Sequence, residues 1–127
     1  MSILVDTSIW VDYFRGGIGS TDLDVLIDEN QIVVNDLILA ELVPFLKLKK
    51  QAKVITLLQV LQRLPLEIDW DEIIDFQVKC LNRGANGIGI PDLIITQNAK
   101  QHRCKIYSLD KHFRLLQDVL HVKLFKN

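Results

Sequence analysis

Short apolar runs alternate with longer segments of helical periodicity along this chain, and that alternation restricts the folds open to it. Residues 2–5 form a first apolar run, and the apolar side chains of residues 7–14 then share one helical stripe. The same alternation continues to runs at 31–34, 104–109 and 121–125. Strands separated by helices lie parallel, with helices over both faces of the sheet. The sequence therefore predicts an α/β fold with a central, mainly parallel sheet of four to five strands.

The segments between the runs predict the helices of this sandwich. Helical spacing of apolar residues, together with capping and breaking residues, predicts helices over residues 7–14, 21–29, 36–46, 51–63, 70–81, 91–102 and 110–119. We expect helices 51–63 and 70–81 to form a hairpin. Pro44 lacks a backbone donor and predicts a kink or break near residues 40–41. The glycine-rich segment 83–90 predicts a loop that ends at Pro91, in the first turn of the next helix.

Composition places the chain among soluble globular domains and says little about its partner. Of its 127 residues, 49% are apolar and 24% charged, which predicts a single domain spanning residues 1–127. The formal charge of −1 means that a nucleic acid would have to be held by a local basic patch. Cys80 and Cys104 form no metal or redox motif, so we expect them in the core. With no leader and no membrane-length apolar run, a cytoplasmic protein is predicted.

Three aspartates occupy positions where parallel α/β sheets hold ligands. Asp6 follows the first predicted strand directly, and Asp110 follows the strand at 104–109. Both should point outward from the carboxyl edge of the sheet, where ligands of open α/β sheets bind. Asp92 opens a helix beside the glycine-rich loop. Aspartates at helix starts also cap free backbone amides, so capping alone remains an alternative explanation for all three.

Glu41 is a different case, because it lies inside a helix among apolar residues. The stretch DLILAELVPFL, residues 36–46, offers it no polar stripe, so we expect its side chain to be buried. A buried carboxylate takes a proton, pairs with a cation or binds a metal. Together with the three aspartates, it predicts a site for Mg²⁺ or Mn²⁺, which bind oxygen ligands. A buried ion pair is the alternative.

Four short segments resemble, in order and spacing, the acidic motifs of PIN-domain nucleases. They are LVDTS at 4–8, LAEL at 39–42, IPDLIIT at 90–96 and SLDKHF at 108–113, and they are most similar to those of VapC-type toxins from toxin-antitoxin pairs. The resemblance implies a PIN-like α/β/α sandwich and a metal-dependent endoribonuclease with Asp6, Glu41, Asp92 and Asp110 around Mg²⁺ or Mn²⁺. It further implies RNA cleavage that inhibits translation or growth, a neutralising antitoxin and a homodimer.

Other polar residues are candidates for positioning the substrate. The hydroxyls of Thr7, Ser8 and Ser108 match hydroxyl positions of the family, although Thr7 and Ser8 also suit helix capping. Lys47, Lys50 and Arg83 are predicted to hold RNA phosphates, with a solvated basic surface as the alternative. Many relatives carry a further acid two residues after the position of Asp110, where this sequence has His112. We leave His112 outside the catalytic set, because a lone histidine in a short surface helix usually has no special role.

Two other classes of enzyme fit the sequence poorly. A haloacid-dehalogenase-type phosphatase needs a second acid two residues after Asp6, where this chain has Ser8. A dinucleotide-binding fold needs a G-x-G-x-x-G motif after the first strand, and the segment DTSIW contains none. The remaining alternative to a nuclease is a catalytically weak PIN-like module that binds RNA or protein.

Overall fold

The computed structural model describes residues 2–126, which form a parallel sheet with helices on both faces. The strands lie in the order β3–β2–β1–β4, and their bounds are β1 Ile3–Val5, β2 Ile32–Val34, β3 Gln62–Arg63 and β4 Lys105–Tyr107. The helices are α1 Thr7–Phe14, α2 Leu23–Asp28, α3 Asp36–Leu48, α4 Ala52–Val60, α5 Trp70–Asn82, α6 Ile90–Gln101 and α7 His112–Leu120. The predicted α/β sandwich is confirmed.

The central strands divide their side chains between two separate apolar clusters. Leu4 of β1 packs with α5, α6 and α7 in one cluster, whereas Ile3 and Val5 pack with α1, α2 and α4 in the other. This division follows from the two-residue period of a strand, whose successive side chains point to opposite faces. All three residues of β1 are therefore buried, as expected of a parallel strand covered on both faces.

The segment between α4 and α5 differs from its prediction. Residues 62–63, predicted as the end of a helix, form the exposed edge strand β3 beside β2. Leu58 of α4 belongs to one apolar cluster, and Ile73 of α5 belongs to the other. The predicted hairpin of these helices is therefore wrong, because the chain crosses the edge of the sheet between them. Periodicity showed the two helices correctly but carried no information about the face that each would cover.

Two further local predictions have different outcomes. The helix α3 runs unbroken from Asp36 to Leu48 with Pro44 inside it, so the predicted break is not observed. At the other end of the chain, residues 121–125 were predicted to form a strand. They contribute an isolated parallel bridge between Leu124 and Ile106 of β4, which extends the sheet by a single pairing.

Two other expectations concern burial and helix length. Both cysteines are unpaired and buried, as predicted. None of the helices within residues 2–126 is long and apolar enough to cross a membrane.

A buried pair of asparagines anchors the start of α3. Asn35 caps this helix by accepting a hydrogen bond from the backbone N–H of Ile38 at 2.9 Å. Its Nδ2 donates to Oδ1 of Asn98 on α6 at 2.9 Å, and Nδ2 of Asn98 donates to the carbonyl of Pro65 at 3.0 Å. Because both side chains are at most 1% exposed, each hydrogen bond replaces one that water would otherwise make. The pair holds α3 and α6 in a fixed relation.

We expect Asn98→Ala to destabilise the fold by about 1–3 kcal/mol, because it leaves the buried Nδ2 of Asn35 without its partner and removes the hydrogen bond to the carbonyl of Pro65. The matched control is Gln101→Ala on the same helix. Gln101 also donates to a backbone carbonyl, that of Glu67, but at an exposed site, so its loss should change stability by less than about 0.5 kcal/mol. Denaturant unfolding of both variants measures the difference, and equal losses would contradict the assigned role of Asn98.

Candidate active site

The pairing of β1 with β4 brings two polar segments together at the carboxyl edge of the sheet. Val5 and Tyr107 are partners in the parallel register, and the chain continues from them into Asp6 and Ser108. The backbone N–H of Asp6 donates to the carbonyl of Tyr107 at 2.9 Å. Segments that lie a hundred residues apart in the sequence are thus adjacent at the point where both strands end.

Asp6 is the most buried of the predicted site residues. It is 7% exposed, and its Oδ2 accepts hydrogen bonds from the hydroxyls of Ser8 at 2.9 Å and Ser108 at 2.8 Å. Although Asp6 occupies the N-cap position of α1, its side chain makes no capping hydrogen bond within the described part of the chain. Its carboxylate is therefore held by side chains of two strand ends, and the capping explanation does not account for it.

The two serine hydroxyls also join the loops that carry the acids. Ser8 Oγ accepts from the backbone N–H of Leu109 at 3.0 Å, and Ser108 Oγ accepts from that of Asp110 at 2.9 Å. The two hydroxyl oxygens lie 3.2 Å apart. Since each hydroxyl both donates and accepts, this pair connects Asp6 to the loop that positions Asp110. Both serines thus hold the carboxylate of Asp6, and Ser108 also holds the backbone of Asp110.

Asp92, Asp110 and His112 form a second part of the site. Nδ1 of His112 lies 3.1 Å from Oδ2 of Asp92 and 3.5 Å from Oδ1 of Asp110. Oδ1 of Asp110 accepts from the backbone N–H of His112 at 2.9 Å, so a local capping role exists for this aspartate. One ligand atom from each of the three residues lies within 4.8 Å of the others. His112, which was left outside the predicted catalytic set, thus has its ring beside two of the acids.

Glu41 belongs to the site, but the prediction that it would be buried is wrong. The inner face of α3 is formed by Ile38, Leu42 and Leu46, and Glu41 lies on the exposed flank. Its Oε1 accepts a hydrogen bond from the hydroxyl of Thr7 at 3.3 Å. The apolar neighbours of Glu41 in the sequence were a poor guide to its own burial, because several of them are themselves exposed or only half-buried. The α3 helix covers the sheet with a narrower face than its composition indicated.

Two carboxyl groups of the site have pKa values above their ordinary range. Partial removal from water raises the pKa of Glu41, the charges of Asp6 and Asp92 raise it further, and the hydrogen bond from Thr7 opposes them. Loss of hydration also raises the pKa of Asp92; the His112 hydrogen bond lowers it, whereas the charges of Asp110 and Asp6 raise it. The charges of Asp6 and Asp92 thus act on Glu41, and those of Asp110 and Asp6 act on Asp92.

This set of donors suits a divalent cation. Several carboxylates share one edge of the sheet, they are partly desolvated, and their repulsion would be offset by a positive ion. Carboxylate oxygen ligands favour Mg²⁺, Mn²⁺ or a related ion. The residues present therefore fit a metal site of the kind that the sequence predicts.

The predicted basic residues lie apart from this arrangement. Lys47 is in the last turn of α3, Lys50 follows that helix, and Arg83 follows α5, and all three side chains are exposed. Among residues 2–126, no hydrogen bond or ion pair joins them to the four acids. A role for them in holding RNA stays a prediction.

A solved structure shares this architecture. The solved structure of VapBC2 from Rickettsia felis, bound to a DNA fragment from its promoter, contains a chain of the same fold. The match has a TM-score of 0.77 and covers 98% of each chain at 20% sequence identity. At that identity the likeness establishes the fold alone. Comparison with curated proteins yields no match.

The sequence itself matches the PIN domain over residues 3–119. This range contains Asp6, Glu41, Asp92 and Asp110, together with both serines that support Asp6. The chain therefore belongs to the PIN-domain family of nucleases, as its four acidic segments had indicated.

Proposed function

We propose that this protein is a metal-dependent endoribonuclease and the toxin of a VapBC-type toxin-antitoxin pair. In this proposal it acts in the cytoplasm as a single domain, and RNA cleavage inhibits translation or growth until an antitoxin binds. The observation that carries the proposal is a group of acids near the carboxyl edge of the sheet. Asp92 and Asp110 lie together with His112, and the charges of Asp6 and Asp92 act on Glu41. Family membership and the fold shared with a VapBC2 chain support it.

Asp6, Glu41, Asp92 and Asp110 are the residues that would hold Mg²⁺ or Mn²⁺. When bound, such an ion activates water and offsets the charge that builds on the phosphate during hydrolysis. The protein supplies a rigid arrangement of these carboxylates. Ser8 and Ser108 hold Asp6 from two sides, and such fixed geometry reduces the reorganisation needed during the reaction. Hydrolysis by water would leave a 5′-phosphate and a 3′-hydroxyl.

We place the approach of the substrate on the side of Glu41, because this side chain is exposed. Thr7 donates to Glu41 and lies in the first turn of α1. Its single hydroxyl proton orients this acid, or it is donated to a phosphate oxygen once the hydroxyl rotates away from Glu41. Lys47, Lys50 and Arg83 would contribute more distant contacts to the RNA backbone. An antitoxin segment that covers the acids with a basic side chain would block the same opening.

An exposed apolar stripe on α5 supports self-association of the toxin. Trp70, Ile74, Val78 and Leu81 recur at helical spacing on one flank of this helix and are 57%, 62%, 49% and 52% exposed. The opposite flank of α5 packs into the core through buried residues. A contiguous apolar surface of this kind is typical of a protein interface.

The charges beside this stripe favour a second copy of the same helix as its partner. Asp71 and Asp75 each follow a stripe residue in the first half of α5, whereas Lys79 follows one in the second half. In an antiparallel pair related by a two-fold axis, the acidic half of each helix would lie near Lys79 of the other, which in the single chain pairs with Asp75 of its own helix at 3.1 Å. We therefore place the homodimer interface on α5.

The nuclease proposal predicts that RNA cleavage requires both a divalent ion and the acids. We expect activity with Mg²⁺ or Mn²⁺, none with EDTA, and a loss of about a hundredfold or more in Asp6→Asn, the scale seen when a preorganised catalytic group is removed. Asp118→Asn, at an exposed position on α7, is the matched control and should retain activity. Cleavage that is equal under all conditions would refute the metal mechanism. Absence of cleavage with any RNA would favour the binding-module alternative.

The raised pKa of Glu41 predicts that Glu41→Gln stabilises the metal-free protein at neutral pH. Because the folded-state pKa lies above the unfolded value, the destabilisation is absent at pH values below the unfolded pKa and grows as pH rises through the folded pKa. The gain should stay below about 1 kcal/mol, since the exposed side chain is screened by water. It should be absent at a pH below the ordinary glutamate range.

Thermal unfolding in EDTA at both pH values measures this gain, with Glu29→Gln at an exposed position as the control. Added Mg²⁺ should stabilise the unaltered protein more than Glu41→Gln, because the variant has lost a ligand. Destabilisation of metal-free Glu41→Gln at neutral pH would instead show that the carboxylate forms a stabilising ion pair.

The α5 interface predicts that Ile74→Asp converts a dimer to a folded monomer. A buried, unpaired aspartate in the interface would be costly, whereas Ile74 contributes little to the core because it is 62% exposed in the single chain. Light scattering after size-exclusion chromatography measures the mass. Val25→Asp, at another site that is 54% exposed, should leave the dimer intact. A monomeric unaltered protein would contradict the assignment.

A further inference from the structure

The ring of His112 lies beside two of the acids. Neither the sequence around His112 nor membership in the family predicts this location. Its Nδ1 faces Oδ2 of Asp92 at 3.1 Å and Oδ1 of Asp110 at 3.5 Å. The side chain is 42% exposed, so the ring borders both the site and solvent.

The distances among these atoms match those expected around one ion. Donor atoms that each lie about 2.1 Å from an octahedral ion are roughly 3.0 Å apart in adjacent positions and roughly 4.2 Å apart in opposite ones. The separations of 3.1 Å and 3.5 Å fall within this range. One ligand atom from each of Asp92, Asp110 and His112 lies within 4.8 Å of the others. Small movements would therefore bring all three to a common ion.

The start of α7 holds the backbone of His112 beside the two aspartates. His112 is the first residue of α7, and its N–H donates to Oδ1 of Asp110 at 2.9 Å. The adjacent Phe113 is 1% exposed and anchors the start of the helix in the core. Because its backbone is already held, His112 loses little conformational freedom when it binds an ion.

We propose that His112 is a metal ligand through Nδ1, together with Asp92 and Asp110, and that it selects Mn²⁺ over Mg²⁺. This inference rests on the proposed function, because it concerns the same metal site. Mg²⁺ binds oxygen ligands almost alone, whereas Mn²⁺ and later transition ions accept imidazole nitrogen as well. A histidine in the position where relatives carry an acid thus changes the ligand set from all-oxygen to mixed oxygen and nitrogen.

Pulsed electron paramagnetic resonance of bound Mn²⁺ tests this assignment without reference to activity. We expect nitrogen modulation from a directly bound imidazole in the unaltered protein, and its loss in His112→Asp, which still binds Mn²⁺ through oxygen. His102→Asn, at an exposed position at the end of α6, should retain the modulation and is the matched control. Modulation that persists in His112→Asp, or is absent from the unaltered protein with Mn²⁺ bound, would overturn the assignment and leave the nuclease proposal intact.

Metal affinities supply a second readout. Calorimetric titration of the apo-protein with Mn²⁺ and with Mg²⁺ should give a ratio of affinities that favours Mn²⁺ in the unaltered protein. In His112→Asp this ratio should shift severalfold toward Mg²⁺, whereas His102→Asn should leave it unchanged. An unchanged ratio in His112→Asp would refute the selectivity. Failure of the unaltered protein to bind either ion would refute both this inference and the proposed metal mechanism.

Discussion

The parallel pairing of β1 with β4 is the interaction on which the rest of the site depends. It places Val5 beside Tyr107 and thereby brings the first acid of the chain next to the loop that carries the last one. Ser108 then contacts both parts, because its hydroxyl donates to Asp6 and accepts from the backbone of Asp110. The other acids reach the same edge from α3 and α6, which the buried Asn35–Asn98 hydrogen bond holds together.

This arrangement has an electrostatic cost in the metal-free protein. Partial loss of hydration and mutual repulsion raise the pKa values of Glu41 and Asp92, so the folded chain holds these groups in surroundings that disfavour their charges. Such a cost is typical of functional sites, where stability is given up for a preorganised charge distribution. The burial of the two apolar clusters on either side of the sheet offsets this electrostatic cost.

Two residues of the site show where inference from sequence failed, and for different reasons. Glu41 was expected to be buried because its neighbours in sequence are apolar, but apolar composition does not reveal how wide a face a helix covers. His112 was set aside because a single histidine carries little information by itself. The available signal was that His112 stands two residues after Asp110, where relatives carry an acid. Only the packing of α7 against α6 shows that the residue at this position contacts Asp92.

The sequence by itself determined the α/β class, most element boundaries and the identities of the four acids. These features depend on periodicity, on breaking residues and on short motifs, all of which are local. Tertiary structure alone decided the faces covered by α4 and α5, the small edge strand β3, the exposure of Glu41 and the contact of His112 with Asp92. Each of these depends on which distant segments pack together, and a side chain's surroundings are set by that packing rather than by its neighbours along the chain.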